Sequence, residues 1–319
     1  MIPDNAPKEP VTRNDCVSSD PLNVRSQNNP YTRILANVVR EHRLFSVHWE
    51  LTYRCNAICT HCYLDVLPPN ASTPDELTTD KARSVLDQIV AMGVLYLTFS
   101  GGEILVRRDF FEIAEYARRK RLAIRLMTNG IFIKSQVADR IANLHPTGVE
   151  ISLYGADAAT HDAITRRPGS FERTLRAFQL LRERGIRTVM KTPLMRENVR
   201  QMYALRALAS RVGATFCCDP TITAKDSGDT RPLNHRLTYD DLVWWLRAEI
   251  NADERTPLPT IDATQRSCGI GSNSLVIDPY GNVFPCVQTR IPAGNLRIQS
   301  VQEIWSSSSV FRELGALTW

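Results

Sequence analysis

Residues Leu51 to Tyr63 read LTYRCNAICTHCY, and Cys55, Cys59 and Cys62 fall there in the spacing C-x3-C-x2-C. Three thiolates so close together converge readily on one centre, and soft thiolate ligands select zinc or an iron–sulfur cluster over hard cations. A structural zinc site is normally closed by a fourth ligand nearby, and His61 lies directly beside Cys62, a poor position from which to close one. An iron–sulfur cluster accepts three cysteines and keeps one iron open for a ligand. Spacing favours the cluster and leaves zinc as the alternative.

Working outward, an apolar run at Leu44–Leu51 reads as a strand leading into the cysteine loop. A second strand, Tyr96–Phe99, ends in Ser100-Gly101-Gly102-Glu103. Glycines without side chains let backbone come close to a ligand, and Glu103 is suited to accept from an ammonium group. This pairing of motifs resembles the radical S-adenosylmethionine (SAM) superfamily over roughly residues 44–305. The resemblance implies that Cys55, Cys59 and Cys62 ligate a [4Fe–4S] cluster, with His61 at the variable position before the last cysteine. It also implies that Gly101, Gly102 and Glu103 hold the methionine end of SAM, whose reductive cleavage yields a 5′-deoxyadenosyl radical. Such chemistry belongs to the cofactor, and the protein supplies aim, exclusion of water and electrostatics.

The chain has 319 residues, 43% of them apolar, enough to bury a substantial core. Its net charge of +5 is spread through interspersed Arg and Glu, a solvated surface that gives no case for nucleic acid. No apolar run is long enough to span a bilayer and the opening residues do not read as a signal peptide, so a cytoplasmic setting is expected. In that reducing setting the eight cysteines point to metal sites rather than disulfides. Residues 1–30 are rich in Pro, Asn, Asp and Ser and are expected to form a disordered arm containing a lone Cys16.

Helical and strand periodicities alternate from a short helix at Thr32–Glu41 through strand Ala214–Cys218. Strands are expected at Leu95–Ser100, Ala123–Thr128, Val149–Leu153, Arg187–Thr192 and Ala214–Cys218. Helices between them are marked by Ala82 to Val90, Phe110 to Ala117, Val137 to Leu144, Leu175 to Leu181 and Val199 to Val212. Parallel strands need such crossovers, and the crossovers are right-handed. The fold class is therefore α/β; the resemblance implies that residues 31–219 form the partial (β/α)6 barrel of the radical SAM family, with a small C-terminal β-hairpin extension over 258–319. Residues 220–257 read as a linker and bridging helix, with Leu242, Val243, Trp245, Leu246 and Ile250 as core.

In α/β folds ligands gather at the C-terminal ends of the strands. Asn129 after strand three and Ser152 near the end of strand four occupy positions that, in the family, meet the methionine and ribose parts of SAM; a turn and a strand-end hydroxyl are the plain alternatives. Lys191 on strand five suits the SAM carboxylate, or is simply a solvated cation. Tyr63 offers backbone groups to the adenine, unless it only packs.

Cys268 and Cys286 flank a hairpin, Leu275 to Phe284, in the spacing C-x12-G-x4-C. This resembles the opening of the SPASM or Twitch extension that binds auxiliary iron–sulfur clusters, and Gly294-Asn295-Leu296 followed by Ser300 to Trp305 fits its continuation. The further cysteines of that family are missing before Trp319. Truncation is the favoured explanation, an auxiliary cluster then forming only when the C-terminus is completed; completion by Cys217 and Cys218, or no cluster, are the alternatives. The resemblance implies a radical SAM oxidoreductase or maturase acting on a ribosomal peptide or on a cofactor or natural-product precursor, reduced by a one-electron donor such as flavodoxin or ferredoxin. A small-molecule substrate (tetrapyrrole, sugar or antibiotic precursor) and a non-catalytic cysteine-rich scaffold are the rivals. An intact Gly101-Gly102-Glu103 speaks against the scaffold.

Overall fold

The structure, a computed structural model, describes residues 30–250 and 268–317. The N-terminal arm with Cys16, the 257/258 boundary and Trp319 lie outside that range. The first six strands are β1 (Ser46–Glu50), β2 (Tyr96–Ser100), β3 (Ala123–Thr128), β4 (Gly148–Ser152), β5 (Thr188–Pro193) and β6 (Thr215–Asp219). All neighbouring pairs among them are parallel. The helices are α1 (Pro30–Arg40), α2 (Thr79–Ala91), α3 (Phe110–Arg119), α4 (Ser135–Asn143), α5 (Ala158–Thr165), α6 (Ser170–Arg182) and α7 (Met202–Val212).

Strand side chains alternate between the faces. Val47 and Trp49, Leu97 and Phe99, and Ile124 and Leu126 are buried in one core with Val85, Ile89, Phe110 and Phe178 from the helices. The intervening positions, including His48, Glu50, Arg125, Glu150 and Lys191, therefore face the other side, the barrel lumen.

After α8 (Tyr239–Ile250), β7 (Ser274–Ile277) and β8 (Asn282–Phe284) form the expected hairpin. Asp278 builds its turn, accepting from Tyr280 N, Asn282 N and Asn282 Nδ2 at 2.8, 2.8 and 2.7 Å. The hairpin is not a separate unit. β7 pairs in parallel with β1, so with β9 (Gly294–Asn295) the described residues form one sheet of nine strands in the order β6-β5-β4-β3-β2-β1-β7-β8-β9. Helices α9 (Val301–Ser307) and α10 (Ser309–Gly315) follow, α9 starting with a Ser300–Glu303 capping box.

Three expectations need correction. Helix α5 is absent from the sequence reading because Ala158 to Thr165 carries no apolar stripe, although Asp157 caps it by accepting from Thr160 N at 2.8 Å. Helix α8 meets the core only in part: Trp245 packs against it half-buried, Leu242 and Val243 are half-buried, Leu246 is exposed, and the side chain of Ile250 lies outside the described residues. The segment after β6 is more than a spacer, since it folds back over the cysteine loop, with Asp226 N donating to Tyr63 O and Ser227 N to Asp65 Oδ2.

Candidate metal and SAM site

The cysteine loop leaves the C-terminal end of β1 and is held on every side. Thr52 Oγ1 donates to Glu76 at 2.6 Å, Arg54 pairs with the same carboxylate, and buried Arg107 donates to the carbonyls of Leu51 and Leu77 at 2.8 and 2.7 Å. Unexpectedly, the far side rests on the C-terminus of α5. Thr60 N and Ile58 N donate to the otherwise orphaned carbonyls of Ile164 and Thr165, and Arg167 Nη1 donates to Asn56 O.

None of Cys55, Cys59 and Cys62 is in a disulfide. Cys55 and Cys59 share a small apolar cluster with Ala57, Ile131 and Val66. Burial pushes the Cys55 thiol up to about 12 and Cys62 to about 11, and holds Cys59 well above its ordinary range. The Cys62 and Cys55 sulfurs add to the shift at Cys59, which places the three thiols in electrostatic reach of one another. Buried thiols that repel one another's charge suit a cationic cluster, which stabilises thiolates outright. The donor set fits the [4Fe–4S] group: soft, closely grouped and dry. Among the described residues, no three His, Cys, Asp or Glu side chains are gathered as closely as the ligands of a single ion.

Neighbouring backbone constrains Gly101 and Gly102 before any ligand is considered. A Cβ on Gly101 would stand 2.3 Å from Thr52 O, and one on Gly102 2.4 Å from Arg54 O. The backbone they approach is the lead-in to the cysteine loop, which accepts from Gly102 N and Glu103 N through those two carbonyls. Glu103, expected to await an ammonium group, is already engaged. It is buried and accepts from Thr128 Oγ1 at 2.8 and 2.9 Å, Asn129 N at 2.8 Å and Leu105 N at 3.1 Å. Burial raises its carboxyl above the usual range.

Asn129 joins this latch to the cysteines, its Nδ2 lying 2.6 Å from Asn56 Oδ1 and 3.9 Å from Cys55 Sγ. The Tyr154 hydroxyl lies within electrostatic reach of Ser152 and Cys59, and the Tyr154 ring meets His61 edge-on at 4.6 Å. His61 is neutral, burial and then His235 lowering it to about 4. Tyr63 is held at both ends: its carbonyl accepts from Asp226 N, and its hydroxyl donates to Glu50 Oε1 at 2.6 Å. Lys191 stands apart from these groups, with Nζ 3.5 Å from Cys217 Sγ. The two extension cysteines are not joined to the loop; Cys268 is exposed and Cys286 half-buried.

Sequence reasoning missed Tyr154 and a buried network at the barrel mouth. Arg290, beyond β8, sends Nη2 to Glu50 Oε2 at 3.0 Å, Tyr53 Oη at 2.5 Å and Asp226 Oδ2 at 3.0 Å. The only signal in the sequence was a Glu on an inward strand position, where alternation already placed it facing the lumen.

A family model for the radical SAM superfamily matches residues 49–209, and one for an iron–sulfur cluster-binding domain, SPASM, matches residues 268–318. The mycofactocin maturase MftC of Mycobacterium tuberculosis is 35% identical over 282 residues, covering 83% of this chain and 71% of that protein. The AdoMet-dependent heme synthase of Methanosarcina barkeri is 29% identical over 303 residues, covering 84% of each. In fold, the chain is similar to Streptococcus suis SuiB bound to precursor peptide SuiA, with a TM-score of 0.66, 14% identity, and 92% of this chain and 73% of that one covered. The chain belongs to the radical SAM superfamily, which implies a [4Fe–4S] cluster and SAM as its cofactors, and it carries the SPASM iron–sulfur domain at its C-terminal end.

Proposed function

We propose that this radical SAM enzyme is a maturase that modifies a ribosomally made peptide. The observation that carries the reading is the 35% identity to a mycofactocin maturase across 83% of the chain, barrel and extension together. When bound, the cluster and SAM supply, on one-electron reduction, a 5′-deoxyadenosyl radical that takes a hydrogen atom from substrate. In our reading Cys55, Cys59 and Cys62 hold the cluster, and the Gly101–Glu103 strand end with Asn129 and Ser152 holds SAM. Glu103 acts by fixing Thr128 and Asn129 rather than by touching the ligand. Tyr154 and His61 wall the cysteines from water.

The division 31–219 barrel, 220–257 linker and bridging helix, and 258–319 extension accompanies this proposal, as do a flavodoxin- or ferredoxin-type electron donor and a cytoplasmic setting. Among the described residues no helix is long and apolar enough to cross a membrane. The heme synthase similarity, equal in its coverage of both chains, favours a tetrapyrrole as the second reading.

One assay separates the two. Anaerobically reconstituted protein with SAM and dithionite should form 5′-deoxyadenosine, and a short precursor peptide, sought among the open reading frames beside its gene, should change mass under these conditions. An unchanged peptide together with conversion of a tetrapyrrole would replace the first reading by the second. No 5′-deoxyadenosine under any condition would remove both.

A further inference from the structure

A parallel barrel that only needs a core is filled by branched apolar side chains. This lumen instead receives His48 and Glu50 from β1, Arg125 from β3, Glu150 from β4 and Lys191 from β5. Arg125 and Glu150 pair with each other at 3.1 Å. Among the described residues two other groups keep donors open: the Nε and Nη1 of Arg290 and the Nε2 of His48 are buried without a hydrogen-bond partner. The ammonium of Lys191 donates there only to the sulfur of the disulfide-bonded Cys217, at 3.5 Å. The acids do not fill Arg290, because Glu50, Asp226 and the Tyr53 hydroxyl all crowd one nitrogen, Nη2.

By strand alternation His48 and Lys191 both point to the lumen, and Arg290 reaches the same side at Glu50. His48 lies within electrostatic reach of both Arg290 and Lys191, which approach it from the extension and from β5. Burial, reinforced by those cations, keeps its imidazole neutral and able to donate one hydrogen bond. A buried guanidinium with unused N–H groups is expensive to leave unpaired, and a carboxylate is the ligand whose geometry and charge satisfy it.

We propose that Arg290, Lys191 and His48 form a subsite for a carboxylate of the substrate, binding it in the lumen between the barrel and the C-terminal extension. The inference rests on the enzymatic reading above and deepens it: a substrate of either class would be oriented by an acid group, side-chain or terminal. The extension then contributes directly to substrate binding, independent of any cluster it carries.

The test uses reconstituted enzyme with its cluster oxidised, so that no turnover occurs, and sodium propionate as the probe. Nitrogen-15 NMR of the histidine rings, with the His48 signal assigned by its loss in His48→Gln, should show a saturable shift with propionate and none with propionamide. Lys191→Met should weaken the apparent affinity by about tenfold or more, the effect of losing one charge-assisted hydrogen bond. Should that variant fold poorly, Arg290→Lys, which keeps the charge and loses the fork, should weaken it likewise. Saturating SAM should leave the propionate effect intact. No saturable shift, or an equal one with propionamide, overturns the subsite. Abolition of the shift by SAM assigns the donors to the SAM carboxylate and overturns the substrate assignment. Neither result touches the 5′-deoxyadenosine assay, so this inference and the enzymatic reading fail separately.

Discussion

Arg290 Nη2 stands 3.0 Å from Glu50 Oε2, joining residues 240 positions apart in the chain. Glu50 is fully buried at the end of β1, and its other oxygen accepts from Tyr63, directly after the last cysteine of the loop. The ion pair thus ties the extension to the cysteine loop through a single carboxylate. Breaking a buried pair by removing one partner costs about 3–5 kcal/mol, because the charge left behind has lost its solvent as well as its partner. Arg290→Met should therefore be strongly destabilising in anaerobic denaturant unfolding. The double variant Glu50→Gln with Arg290→Met should recover part of the loss. Strictly additive effects in this cycle would show that the two side chains do not communicate.

Gly101→Ala and Gly102→Ala test the close approach of β2 to the cysteine loop. Each new Cβ would meet a backbone carbonyl at 2.3 or 2.4 Å, and Gly101 also has φ +129°, which side chains rarely adopt. Backbone has nowhere to retreat without moving Thr52 or Arg54. The destabilisation should reach the upper end of the roughly 1–3 kcal/mol seen for overpacking. Iron content after reconstitution should fall with it. Wild-type iron loading in Gly101→Ala would separate the turn from the loop.

Glu103→Ala removes the acceptor shared by Thr128, Asn129 N and Leu105 N. Each buried donor left unsatisfied costs about 1–3 kcal/mol, so stability should drop and SAM binding should weaken with it, while iron content holds. Glu103→Gln keeps one carbonyl acceptor and should lose less of both. Calorimetry with SAM and thermal unfolding on the same samples make the check. Weaker SAM binding at unchanged stability would mean that the carboxylate touches SAM directly.

The strands were legible because their apolar runs are short, regularly spaced and broken by Gly93, Asn129-Gly130 and Gly185. The cysteine and Gly-Gly-Glu motifs were legible because their residue types are rare at such spacing. What the sequence hid is tertiary. Helix α5 buries His161, Ile164 and Thr165, a pattern without an apolar stripe, yet it supports the cysteine loop. The joining of β7 to β1 cannot be read from a hairpin pattern, because a parallel partner leaves no turn signal. The motif marks Gly101, Gly102 and Glu103 as constrained, but it does not name the protein partners the structure adds to them, Thr52, Arg54 and Thr128.

His161 gives the fold an acid-side weakness. Its Nδ1 accepts from Tyr154 N at 3.0 Å, which requires a neutral ring, and burial lowers the imidazole from its ordinary 6.5 to about 4. Above pH 6.5 the ring is neutral in both folded and unfolded chains. As pH falls toward 4 the unfolded chain takes up the proton first, so stability is lost across that window and no further below it. The shift corresponds to roughly 3 kcal/mol at about 1.4 kcal/mol per pKa unit. His161→Asn keeps an acceptor and removes the titration, so its unfolding free energy should decline less than that of wild type between these pH values. Parallel pH profiles would place the acid sensitivity elsewhere.

The iron count tests which cysteines act together. Cys217 and Cys218 are neighbours on β6 and so face opposite sides of the sheet: Cys218 packs in the main apolar core, while Cys217 lies beside Lys191 and, against the expectation of metal sites rather than disulfides, is disulfide-bonded. They cannot both turn toward Cys268 and Cys286, and β6 is at the opposite edge of the sheet order from β8 and β9. Two thiols do not furnish a four-cysteine cluster. The 319-residue chain should therefore bind about four irons through Cys55, Cys59 and Cys62. Replacing those three with Ala should abolish iron binding and the SAM-dependent change in the reduced cluster's EPR spectrum. Replacing Cys268 and Cys286 should leave both unchanged. About eight irons per chain, halved by Cys218→Ala, would mean that β6 rearranges to bring its buried thiol out of the core and into a second cluster.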